Sequence, residues 1–460
     1  MSNNTTVYHS INPFTNKRLA SYKEDTWEQI LRKIEQADAA YQFWRSQSFE
    51  ERGQYFIHAA KILRKNKARF AQMITDEMGK PYEQSKAEVE KCAWVCEYYV
   101  DNASQFLKSE QIDTDANKTT VIHYQPLGTI LQVMPWNFPF WQVFRFAAPT
   151  LMAGNVTLLK HAPNVLGCAQ LIQTVFEEAG FPKGVFQQVI ASHEQVKEIL
   201  AAETVQGLAL TGSVRAGKAV GQLASKHLKV MVLELGGSDP FIVLKDANLV
   251  LAAQTAVKSR MHNSGQTCIS AKRFIVEDVV ADEFLALVKK EIQQLVVGDP
   301  NHKTTNISVL ARMDLAESLQ QQVDQSIALG AKVEIAGGHQ IGSSYFQPML
   351  LSNIQKGTPA YEEELFGPVA TFFRVKDVEE AIALANDSVF GLAGTVFSQN
   401  EELAQTVALR LEAGAVCINK IMSSDPRVPF GGIKESGIGR ELGREGIRTF
   451  VNLKSIVLGG

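Results

Sequence analysis

The chain has 460 residues, 45% of them hydrophobic and 21% charged, with a formal net charge of −3. So even a balance offers no basic surface and excludes nucleic acid or an anionic bilayer as the main partner. The length exceeds what one hydrophobic core serves, so two or three domains are expected, and no apolar run reaches the roughly 18 residues of a membrane span.

The opening "MSNNTTVYHSINPFTNKRLA" has no apolar signal core, which predicts a cytoplasmic protein. Five scattered cysteines fit a reducing compartment without a disulfide framework, and no Cys/His cluster has metal-ligand spacing. Residues 26–107 repeat apolar positions at helical spacing, as in "TWEQILRKIEQADAAYQFW". "TTVIHYQPLGTILQVMPW" reads as two strands around Pro126-Leu127-Gly128. From 141 to 245 helices alternate with the β-rich runs "VTLLK", "GVFQQVI", "GLALT", "KVMVLEL" and "PFIVL". Such alternation predicts parallel strands with crossover helices, an α/β fold. A second series follows through "KRFIVE", "AKVEIAGG", "VATFFRV", "GTVFS" and "AVCIN". The closing "TFVNLKSIVLG" is a lone strand that needs an edge, and a hairpin at 119–133, in this subunit or another, is the expected one.

Several residues have chemistry that packing does not require. Cys268 ends "MHNSGQTC", a small and polar approach that leaves a thiol reachable. By contrast Cys168 and Cys417 lie in apolar runs, and Cys92 and Cys96 are one helical turn apart. On its own stretch Cys268 is either a structural thiol or a nucleophile. Glu234, in "VMVLELGGSDP", is either a solvent-facing strand residue or a desolvated carboxylate suited to a general base. Asn137, among Trp136, Phe138 and two prolines, either caps a turn or donates to an oxyanion. Gly212-Ser213 follow a strand and open a helix on which Gly217 faces back, either a plain turn or a diphosphate cradle. Lys160 closes "VTLLK" at a carboxyl strand end, where open α/β sheets bind ligands. Arg145 shares a helix face with Gln142 amid Phe, Trp and Val, either snorkelling or meeting an anion.

Taken together, "PWNFP", "TGS", "LELGG", "GQTC", "EELFGPV" and "PFGGIKESGIGRE" resemble the ordered signature of the aldehyde dehydrogenase superfamily across nearly the whole chain. "LLKHAPN" and "ELGGSDPF" are most similar to its bacterial succinate-semialdehyde dehydrogenases. The resemblance implies a parallel-sheet cofactor-binding domain (1–118 and 134–234), a second α/β catalytic domain (235–440) and a small β oligomerisation element (119–133 and 441–460). It implies a homodimer or homotetramer acting on a small-molecule aldehyde with NAD or NADP. Cys268 becomes the nucleophile, Glu234 the base that activates water, and Asn137 with the Cys268 N–H the oxyanion hole. Trp136, Lys160, Gly212 and Ser213 are implied to hold the adenosine and diphosphate, and Glu364 and Phe366 the nicotinamide end. Arg145 and Ser424 are implied to hold the substrate carboxylate.

Three positions depart from family patterns. Pro163 stands where many NAD-preferring relatives carry an acid, so both cofactors are expected. Ser270 replaces the second cysteine of a disulfide switch found in some animal enzymes. His262 stands where animal relatives have a further substrate arginine, which predicts tolerance for longer ω-carboxylated aldehydes. The competing readings are a dehydrogenase of glutarate semialdehyde or an aliphatic aldehyde, an enzyme acylating coenzyme A, and a non-catalytic scaffold.

Overall fold

The computed structural model describes residues 6–115 and 118–458. The ends of the expected 1–118 and 441–460 segments, at 1–5, 116–117 and 459–460, lie outside the described residues. Two sheets dominate. In the first, Thr129–Met134, Val156–His161, Phe186–Gln188, Val205–Thr211 and Val230–Glu234 run parallel, and Gly437–Ile438 adds an antiparallel edge beside Val230–Glu234. Its chain path matters for function. From Thr129–Met134 the chain steps outward through the next two strands, then returns to place Val205–Thr211 on the opposite side of Thr129–Met134. Pro135-Trp136-Asn137 and Gly212-Ser213 therefore leave adjacent carboxyl strand ends at a topological switch point, where ligands bind in open α/β sheets.

The second sheet has seven strands, with Asp239–Val243 and Ala271–Glu277 at its centre. All its pairings are parallel except Lys332–Ile335 with Met349–Ser352 at one edge. Successive side chains feed different cores: Phe241 and Val243 pack in one cluster, Ile242 and Leu244 in another. That period-two split explains the unbroken apolar runs, since a parallel sheet covered on both faces buries every residue.

One sequence expectation is corrected. Residues 119–133 are not a hairpin. Lys118–Pro126 pairs with Glu110–Asp115 and with the C-terminal Val451–Val457, while Thr129–Met134 enters the six-stranded sheet. The second run is buried almost throughout, so it belongs inside a core and not in a two-sided ribbon. Asn155 fixes the parting point. Its Oδ1 accepts from the amides of Leu127 and Gly128, at 2.8 and 3.0 Å, and its Nδ2 donates to the Phe450 carbonyl at 2.9 Å.

Helix Trp141–Met152 lies beneath the site with all twelve residues buried. Its first turn has no side-chain cap of its own; instead Glu88, from helix Tyr82–Phe106, accepts from the amides of Phe140 and Trp141 at 2.9 and 3.0 Å. Lys80 pairs with the same carboxylate, so the buried charge is matched.

Asn155→Ala should cost about 3 kcal/mol in denaturant-derived stability, because it leaves buried donors and an acceptor without partners. Asn155→Asp, which keeps the acceptor, should lose less. Equal losses for the two variants would show that volume, not hydrogen bonding, matters there.

Candidate active site

At the switch point Asn137 is 5% exposed. Its Nδ2 donates to the Gln266 carbonyl at 3.1 Å, and its own carbonyl accepts from Asn263 Nδ2 at 2.8 Å. An amide has two N–H groups, so one stays available for an oxyanion. Ser213 caps helix Val214–Lys226, its Oγ accepting from the Ala216 amide at 3.2 Å. Beside that helix runs an apolar groove of about 390 Å³ lined by Val214, Gly217, Gly221, Met231, Leu233 and Leu235. A Cβ on Gly217 would come within 2.5 Å of the Leu235 side chain, which would have to move aside to admit it. Lys160 stands apart, paired in register with Val133 on the far side of Thr129–Met134, and burial pushes its ammonium pKa down.

Glu234 ends strand Val230–Glu234 with 2% exposure, and neither carboxylate oxygen has a hydrogen-bond partner. Burial holds its pKa well above the usual range; neighbouring Glu441 raises it further, and Arg145 and Arg440 oppose. Gly431 leaves the room, since a Cβ there would lie 2.6 Å from Glu234 Oε1.

The nucleophile candidate sits after an unusual turn. Asn263, Ser264 and Gly265 take left-handed φ values of 53°, 53° and 76° in succession. A Cβ on Gly265 would collide with the backbone of Gly367, so glycine is required. Arg260, wholly buried, stitches this loop to the next one. It donates to the Gly265 carbonyl and Ser270 Oγ on one side and to the Leu365, Gly367 and Val369 carbonyls on the other. Phe366 is thereby held edge-on to Trp136, ring centres 5.8 Å apart. Glu364 accepts from the Gly237 amide at 3.2 Å and pairs with Lys272 at 3.0 Å. Lys272 also donates to the Cys268 carbonyl at 2.7 Å. Cys268 is half-buried, and burial pushes its thiol up to about 12 despite Arg145 and Lys272.

Cys268 lines a cavity of about 280 Å³ walled by helices and loops and shared by Trp141, Gln142, Arg145, Ser424 and Phe430. Arg145 is 1% exposed and not the unpaired guanidinium that its local sequence suggests. It pairs with buried Glu441, donates to Thr211 Oγ1 at 3.2 Å and stacks on Phe430 at 4.7 Å. Ser424 Oγ accepts from Trp141 Nε1 at 3.1 Å and from Lys91 Nζ at 2.8 Å. Sequence reasoning missed Glu441, Lys91 and Arg260. Glu441 does lie inside the quoted "PFGGIKESGIGRE"; the other two read as ordinary helix residues.

A strand-end groove suited to a nucleotide, a cavity lined by one thiol, and a buried unpartnered carboxyl at the end of strand Val230–Glu234 together define an oxidoreductase of the cysteine-dependent kind. The chain belongs to the aldehyde dehydrogenase family, whose profile matches residues 1–456. It is 48% identical to a probable NADP(+) succinate-semialdehyde dehydrogenase of Synechocystis sp., over 97% of this chain and 98% of that one. It is 44% identical to the NAD(P)+ succinate semialdehyde dehydrogenase Sad of Escherichia coli, over 97% of each. The solved structure of succinic semialdehyde dehydrogenase from Streptococcus pyogenes, in complex with NADP+, superposes with a TM-score of 0.95 at 38% identity, covering 98% of this chain and 99% of that one.

Iodoacetamide should label Cys268, like partly exposed Cys417, ahead of wholly buried Cys92, Cys96 and Cys168. In the ligand-free protein its rate should rise about tenfold per pH unit from 7 to 9, tracking thiolate fraction. Peptide mass spectrometry measures this; a plateau near pH 7 would mean that the thiol is already ionised.

Proposed function

We propose that this enzyme oxidises succinate semialdehyde to succinate with NAD or NADP, and that Cys268, Glu234 and Asn137 carry the chemistry. The observation that carries the reading is the single cavity in which a reachable thiol faces a wall of cationic and hydroxyl groups, Arg145, Lys91 and Ser424. An aldehyde with a carboxylate at its other end matches both walls.

The residues fit a dinucleotide. Gly212 and Ser213 offer a helix start for the diphosphate, the apolar groove suits adenine, Trp136 and Lys160 serve the adenosine and diphosphate, and Glu364 and Phe366 bound the nicotinamide end. Pro163, which opens a short turn after that strand, neither binds ribose hydroxyls nor repels a phosphate, and this supports use of both cofactors. When bound, the dinucleotide supplies the hydride acceptor. Cys268 as thiolate attacks the aldehyde carbon and forms a thiohemiacetal whose oxyanion accepts from the Asn137 amide and the Cys268 N–H. Loss of hydride leaves a thioester on Cys268. Glu234, once ionised, takes a proton from the water that attacks this thioester, releasing succinate and the free thiol.

Residues 1–118 with 134–234 then serve the cofactor, and 235–440 the aldehyde. Strand Val451–Val457, an edge with Leu453 and Val457 60% and 64% exposed, supports a homodimer or homotetramer closed through this sheet. Among the described residues no helix is long and apolar enough to cross a membrane, and we place the enzyme in the cytoplasm.

Purified protein given an aldehyde panel should reduce both NAD and NADP, with higher kcat/KM for succinate semialdehyde than for butyraldehyde, which has the same carbon count and no carboxylate. No turnover of any aldehyde would favour a scaffold, and a need for coenzyme A would favour acylation. Glu234→Gln should give a burst of reduced cofactor near one equivalent per site and then stall, as an accumulating thioester requires. In the wild type, release from the thioester should speed up with rising pH, because a carboxyl held above its usual range ionises at higher pH than a free one. A burst-free slow rate in the variant would show that Glu234 acts before hydride transfer.

A further inference from the structure

Helix Tyr82–Phe106 forms one wall of the cavity, and no step of the reaction scheme assigns a role to its residues. From it Lys91 projects toward the space occupied by substrate in that scheme. Its Nζ spends one hydrogen on Ser424 Oγ at 2.8 Å and lies 4.2 Å from the centre of the Trp141 ring. An ammonium has three hydrogens, so donor capacity remains.

The carboxylates around Lys91 are committed elsewhere. Glu88 holds Lys80 and the amides of Phe140 and Trp141. Asp425 is bidentate to Arg427, at 2.9 and 2.7 Å. Glu441 belongs to Arg145. Lys91 enters no ion pair among the described residues. Of the other basic groups lining this side, Lys258 is exposed to solvent, and His262 stacks against Phe138 and is pushed down to about 4 by burial and by Lys80, Lys91 and Lys258, so it is neutral. A cation enclosed this far without a counter-ion costs stability that an anionic ligand returns.

We propose that Lys91, bridged to Ser424, grips the carboxylate of the aldehyde substrate and is the residue that selects ω-carboxylated aldehydes. The assignment rests on the semialdehyde reading above and deepens it. Arg145, already matched by Glu441, then shapes the field beneath the carboxylate and is not its sole anchor. Burial and Arg145 bring the Lys91 ammonium down to about 8, so it is still mostly charged at neutral pH.

The test compares Lys91→Met, Lys91→Gln and Lys91→Arg with wild type on succinate semialdehyde and butyraldehyde. In both uncharged variants the ratio of the two kcat/KM values should fall roughly 30-fold, mainly through KM for the semialdehyde, as loss of a charged pairing predicts. Lys91→Gln guards against misfolding, since it keeps a donor for Ser424, and Lys91→Arg should restore most of the ratio. Parallel losses on both aldehydes, or an unchanged ratio, would make Lys91 a packing residue and overturn the proposal. A wild-type enzyme without preference for the semialdehyde would instead overturn the substrate reading, whatever Lys91 does.

Discussion

The arrangement of this site depends on how one buried guanidinium is neutralised. Arg145 lies on a helix buried at every position, and an arginine there persists only if its charge and donors are met. Glu441 meets the charge, Thr211 takes one donor, and the Phe430 face covers the planar surface. Glu441 comes from far along the chain, and its backbone bridges to Phe430 across an antiparallel pair. Matching Arg145 therefore draws the segment 430–441 over the carboxyl ends of the first sheet. Two consequences follow. Gly437–Ile438 add an edge to the strand that bears Glu234, and Gly431 backs the Glu234 carboxylate. A second acid then lies close to Glu234 and, after burial, helps hold its pKa above the usual range.

A second buried guanidinium sets the geometry between the two halves of the reaction. Arg260 donates only to backbone carbonyls and one serine hydroxyl, all on the loops around Cys268 and Phe366. It makes no ion pair among the described residues, so its role is to hold one loop against the other, and burial takes its pKa down to about 9. Ser270 takes part: its hydroxyl accepts from Arg260 and donates to the Thr267 carbonyl at 2.9 Å. The serine that replaces a switch cysteine is thus a member of the scaffold behind the nucleophile. Three consecutive left-handed residues are tolerated because Asn263 and Ser264 each spend their side chains on distant carbonyls.

What the sequence made legible was local. Parallel strands were readable because burial on both faces writes continuous apolar runs, as in Thr129–Met134 and Asp239–Val243. Glu234 was readable because a carboxylate interrupts such a run just before two glycines. Pairing partners were not, since period and propensity do not say which edge a strand joins; hence the false hairpin at 119–133. Lys91 was hidden for a similar reason. On helix Tyr82–Phe106 it is one lysine in a mixed helix, and only the tertiary arrangement commits Glu88, three residues away, to other partners. Arg145 was legible as a residue that needed an anion, but the anion facing it in the fold is Glu441, some 300 residues away in sequence and beyond any local pattern.

These charges also explain why a carboxylated aldehyde needs more than one cation in its pocket. As succinate semialdehyde approaches Cys268 its carboxylate faces the thiolate, and for charges about 6 Å apart at an effective dielectric near 20 the repulsion costs about 3 kcal/mol. The thiol is already pushed up to about 12, so an unscreened substrate would oppose its own attack. A cation beside the carboxylate, some 8 Å from the sulfur, returns about 2 kcal/mol of that cost. Arg145 and Lys272 both act on the thiol, but each is shared with a carboxylate, Glu441 and Glu364, and His262 is neutral. Lys91 keeps its charge to spare, since its nearest carboxylates are already paired. Grip on the carboxylate thus falls to the Lys91 ammonium, while Arg145 and Lys272 favour the thiolate.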